Sequence, residues 1–150
     1  MKEIYYTYNN EAIASCIFLS ILNEVDKLDI ARSCLILPFL FDDRTVNYFA
    51  KVKEQNLKLG DFIKDKPQLF VSFNKRYSSL LPVTINALMI LSKSNQIDIG
   101  DEIVKAKTLT FDSSNLGDRF SKIDSVIPAL IKMLNNHRTS TLYKILKIQL

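Results

Sequence analysis

The run Ser33–Thr45, SCLILPFLFDDRT, limits most tightly what this chain can fold into. Seven apolar residues surround Pro38, and Asp42 and Asp43 follow at once. A membrane-spanning helix needs about 20 apolar residues in a row. Here the apolar run ends at Asp42, and Arg32 lies just upstream. A central strand is disfavoured, because proline cannot donate to a ladder. Ala31, Leu35, Leu37 and Leu40 favour helix, so the spacing predicts a helix from Ile30 to Leu37 that stops or kinks at Pro38. Phe39 and Phe41 beside that proline then offer an apolar face.

The rest of the chain reads mostly helical. Asn10 is placed to cap a helix whose stripe includes Ile13, Cys16, Ile17, Ile21 and Val25. The tyrosines of IYYTY before it predict an extended arm. Asp42 or Asp43 should cap a helix from Thr45 to about Gln55. Gly60 marks a stop, with a short turn over Asp61–Lys64. Two helices are expected next. One runs from Gln68 with Leu69, Phe70, Phe73 and Tyr77 inward. The other is capped by Ser79, carries Pro82 in its first turn, and buries Leu81, Ile85, Leu88 and Met89.

The period then changes. Ile97, Ile99 and Ile103 alternate around Gly100-Asp101, which predicts a hairpin with Lys105 and Lys107 on one side. Helices followed by a hairpin are the layout of a winged helix, here over about residues 68–111. Beyond Gly117, Phe120, Ile123, Ile127, Leu130 and Leu134 give a further helix with a kink or restart at Pro128. Thr139–Thr141 should cap a last short one. The expected fold is a single domain, 1–150, mainly α with a small β-hairpin, winged-helix-like in part.

Charge is polarised along the chain. Residues 1–50 carry four basic and seven acidic groups, whereas residues 101–150 carry eight and five. No acidic residue follows Asp124. Such asymmetry can steer a partner. Lys75, Arg76, Lys105 and Lys107 are expected to touch phosphates without reading bases. The helix over residues 80–92 offers bases only Thr84 and Asn86, so it is better suited to a protein than to a major groove.

Little else carries chemistry. His137 is the one histidine, and it sits in a polar stretch. Cys16 and Cys34 are 18 residues apart with no paired ligand beside them, which reads as two small buried hydrophobes. Gly60, Gly100 and Gly117 make no phosphate cradle. Asp101, Glu102 and Lys105 on one hairpin hint at a carboxylate nuclease but lack a second acidic anchor. No catalytic residue, cofactor or metal is expected. Lys2 is followed by Glu3 with no small-residue cleavage site, so the expected location is the cytoplasm, without membrane insertion.

In order, NNEAIASCIFLSIL, SCLILPFLF, DDRTVNYFA, LLPVTINALMILSKSNQIDIG and TSTLYKILKIQL resemble the middle components of bacterial three-component SMC-like ABC-ATPase systems. That group includes the small subunit of Lamassu anti-phage defence. Family members often carry Leu-Gly in the penultimate helix and glycine in the final turn, where this chain has Ala129-Leu130 and Lys147. The resemblance implies a non-catalytic adaptor in a hetero-oligomer, between an SMC-like ATPase and an effector nuclease. Leu37, Pro38, Phe39 and Phe41 are the expected partner-binding residues. The alternative is a stand-alone winged-helix regulator that binds DNA.

Overall fold

The computed structural model of the protein describes residues 9–106 and 110–150. The tyrosine-rich arm and Lys107 lie outside the described residues. The described chain is mainly helical with a small sheet, arranged around one continuous apolar cluster.

Helix α1, Glu11–Glu24, starts as its sequence dictates. The Asn10 side-chain oxygen accepts from the backbone N–H groups of Ala12 at 3.0 Å and Ile13 at 3.2 Å, satisfying donors the first turn leaves open. Ile17, Phe18, Leu19, Ile21 and Leu22 are all buried, because α1 packs between two later helices.

Strand β1, Lys27–Asp29, follows, and it was not expected. Three residues are too few to show alternation; pairing with a distant strand makes them β. The opening run is two short turns of helix, α2 (Ile30–Ser33) and α3 (Ile36–Leu40). Pro38 does not stop the helix as expected. It lies in the first turn of α3, where no intrahelical N–H is needed. Helix α4, Asp43–Val52, is preceded by Asp42, whose carboxylate accepts from Thr45 Oγ1 at 2.7 Å. Gly60 lies inside α5, Leu59–Asp65, rather than ending a helix.

The two helices expected over residues 68–93 are one. After a 3-10 turn at Pro67–Leu69, helix α6 runs unbroken from Phe73 to Lys93, through Pro82. Ser79 caps nothing; it is exposed mid-helix. The proline is tolerated on the exposed side, where the carbonyl it leaves free can meet water. Helix α6 ends in Asn95 at φ 60°. Asn95 N–H donates to Ser92 O and Gln96 N–H to Leu91 O, a Schellman closure that uses asparagine's tolerance of the left-handed region.

The hairpin β2 (Ile97–Ile99) and β3 (Glu102–Lys105) forms as expected. Leu28 of β1 pairs with Ile103, and Ile99 pairs with Ile103 from the other side. The sheet order is therefore β1-β3-β2, all antiparallel. Helix, strand, helices and hairpin with the last strand central make a winged-helix-like wiring. It draws on residues 11–29 as well as on 68–106.

Helix α7, Asp118–Leu134, also runs through its proline; Pro128 is exposed and marks no restart. Ser20 Oγ donates to Asp124 Oδ1 at 2.6 Å, tying α1 to α7. Helix α8, Thr139–Ile145, has Arg138 rather than a threonine at its N-cap. It closes with Lys147 at φ 56°, whose N–H donates to Lys144 O while Ile148 N–H donates to Tyr143 O. The left-handed conformation that suits glycine is thus kept with a lysine in it.

Candidate docking surfaces

The four residues expected to meet a partner are core. Leu37 and Phe39 are 0% exposed, Phe41 is 2%, and Pro38 is buried with them. Phe39 meets Phe73 edge-on at 4.8 Å, Phe62 meets Phe70 at 4.8 Å, and Tyr48 stacks on Phe62. Apolar excess in this run is consumed internally by α4, α5 and α6.

Arg76 serves the same core. Its guanidinium donates to Pro38 O at 3.1 Å, Leu69 O at 3.0 Å and Ser72 Oγ at 2.9 Å, and lies 5.3 Å from the Phe73 ring centroid. It holds the start of α6 against the end of α3. Lys105 Nζ donates to Asn23 Oδ1 at 2.8 Å. Lys75 is exposed in the first turn of α6, while Lys105 lies near the helix's other end, beside Ile97. The structure therefore does not gather these cations into one phosphate-binding patch. Glu102 and Lys105, three residues apart on a strand, point to opposite sheet faces. Glu102 pairs with Lys27 at 3.1 Å instead. Among the described residues, no three His, Cys, Asp or Glu side chains are grouped to hold a metal.

Two surfaces stand out away from the expected partner-binding residues. The first is the outer face of α6. Ile85 is 50% exposed, Met89 46% and Ile90 51%, so Ile85 and Met89 do not face inward as expected, whereas Leu88 does. The buried face is Phe73, Tyr77, Leu80, Val83, Thr84, Ala87, Leu88 and Leu91. The signal was present: these positions keep three-and-four spacing once the segment is read as one helix. At 100° per residue, Lys75, Pro82, Met89 and Lys93 fall within about 40° of one line, with Ile85 and Ile90 to either side. Asn86 in the same stripe donates to Glu11 Oε1 at 3.3 Å. No Asp or Glu occurs anywhere in α6.

The second is a cleft of about 740 Å³ between α2, the start of α6 and α8, lined by Ala31, Cys34, Tyr77, Tyr143 and Ile148 among others. Tyr143 OH donates to Ala31 O at 2.6 Å and lies 3.4 Å from Tyr77 OH. Burial, then the hydrogen bond with Tyr77, pushes the Tyr143 phenol well above its ordinary value. Burial also raises the Cys34 thiol, whose Sγ donates to Ile30 O at 3.4 Å. A thiol held protonated in this way is a poor nucleophile. Arg32 fixes the neighbouring wall by donating to Thr139 Oγ1, Asn135 Oδ1 and the His137 carbonyl. No sequence signal could have found this cleft, because Cys34, Tyr77 and Tyr143 are far apart in the chain.

The fold and these two surfaces define a winged-helix-like helical domain with exposed apolar residues along α6 and an open cleft beside α8. The match to known proteins is narrower still. The chain belongs to the family of the ABC-three component (ABC-3C) system Middle Component 3, whose model matches residues 2–150. No curated protein and no solved structure matches the chain. A middle component of an ABC system is one part of a multi-component assembly. None of the helices among the described residues is long and apolar enough to cross a membrane.

Proposed function

We propose that this chain is a non-catalytic adaptor, joining an SMC-like ABC ATPase to an effector nuclease in a cytoplasmic anti-phage defence complex. The observation that carries the reading is the outer face of α6. Of the large apolar side chains left exposed among the described residues, three, each about half exposed, share this one helix face. A cluster of this kind on a soluble domain is costly unless something covers it. Membership of a middle-component family supports a partner within an ABC system.

The test is co-expression with an SMC-like ABC ATPase and an effector nuclease from the same genome. Size-exclusion chromatography should show all three in one peak, and this chain alone should neither hydrolyse ATP nor cut DNA. A lone soluble monomer with no affinity for the ATPase would remove the adaptor reading. The winged-helix wiring leaves a DNA-binding regulator as the competing outcome. That outcome requires duplex binding by the lone chain, falling steeply with salt and weakened by Lys75→Glu with Lys105→Glu. The apolar centre of α6 argues against it, since base edges are read by polar side chains.

A further inference from the structure

Resting on the adaptor reading, we infer that the outer face of α6 receives an amphipathic helix of the ATPase or effector, with an apolar middle and acidic residues near both ends. The argument starts from shape. Ser78, Ser79 and Pro82 present a low surface in the first half of the stripe, and Ile85, Met89 and Ile90 stand up in the second. Small residues let a second backbone approach, and residues at i, i+4 and i+5 supply knobs for it.

Charge then selects the occupant. Lys75 and Lys93 lie on the stripe's line, both exposed, 18 residues and so about 27 Å apart along the helix. Lys93, in the last turn, suits the helix dipole. Lys75, in the first turn, opposes it, so helix stability does not account for its place. A second copy of α6 packed antiparallel would set Lys75 against Lys93 twice, with no carboxylate on either helix to relieve the repulsion. A partner helix with Glu or Asp near each end meets both cations while its apolar middle covers Ile85 and Met89. Such rim charges set on-rate and register more than affinity.

The experiment uses the assembled complex. A photo-crosslinking residue at Met89 should join to one helix of a partner, and that helix should carry acidic residues at both ends. Ile85→Glu with Met89→Glu should weaken association at least about a hundredfold, because it buries carboxylates against apolar surface. Lys75→Glu with Lys93→Glu should slow association about tenfold at low salt, with the gap closing at high salt. Neither pair touches the core, so thermal unfolding of the lone chain should not shift. A complex that forms normally with both pairs in place, or a crosslink from Met89 to a basic or extended segment, overturns the inference and leaves the adaptor reading standing. A lone-chain dimer abolished by Ile85→Glu would assign the face to a second copy and overturn it too. So would a crosslink from Met89 to residues 2–8 of the same chain within the assembled complex, which would assign the face to the chain's own start. Failure of any complex to form removes the adaptor reading itself.

Discussion

Two apolar runs in this chain meet opposite fates. Ile36–Phe41, interrupted by proline and followed by two aspartates, is wholly buried. Ile85–Ile90, inside an uninterrupted helix, leaves three of its large residues half exposed. Hydrophobicity alone would rank the two alike. What separates them is the number of elements stacked around each. Short helices α3, α4 and α5 fold back on one another and on the start of α6, closing Phe39 on every side. Among the described residues, α6 is covered by α1, α3 and β2 on one side, and its outer face looks outward.

The largest test of that contrast truncates one residue from each run. Phe39→Ala should cost about 3–5 kcal/mol by removing the centre of an aromatic cluster. Met89→Ala should cost under about 0.5 kcal/mol, as surface changes do. Chemical denaturation of both variants checks this, and similar losses would erase the distinction. Next in size is the link between the runs. Arg76→Met keeps the stem but strands the Pro38 and Leu69 carbonyls, and should cost about 1.5–3 kcal/mol. Lys at that position, lacking the planar fork, should recover little of it.

The cleft at the start of α6 supplies a pH-dependent comparison. The folded chain holds the Tyr143 proton above the ordinary phenol value, while the unfolded chain releases it near 10. The folded state therefore binds more protons above that pH, and stability falls as pH rises through 10. Tyr143→Phe should flatten the alkaline limb of a stability–pH curve, and an unchanged limb would mean that other groups control it. The smallest effect expected is a gain. Lys147 occupies the left-handed region at φ 56°, so Lys147→Gly should raise stability by about 0.5–1 kcal/mol. No change in midpoint would show that the closing turn carries no strain.

Much of the fold was legible locally. The Asn10 cap, the hairpin around Gly100-Asp101 and the periodic helix after Gly117 follow from neighbours in sequence. Strand β1 was not legible, because three residues become β only by pairing with β3, more than seventy positions away. Three prolines depart from the boundaries expected at them, Pro38 in the first turn of α3 being one. Pro82 and Pro128 were read as boundaries, yet each lies on the exposed side of a continuous helix, where the lost hydrogen bond costs least. That error split α6, shifted its phase and turned its outer face inward on paper. Leu37, Pro38, Phe39 and Phe41 are buried for a separate reason, the packing of α4, α5 and α6 around them.

The sequence by itself determined an apolar, mostly helical domain of one family, because periodicity, caps and turn residues act over a few positions. Which apolar residues are left exposed was decided only by tertiary structure. Burial depends on how many distant elements converge on a side chain, and that count is not written in its neighbours.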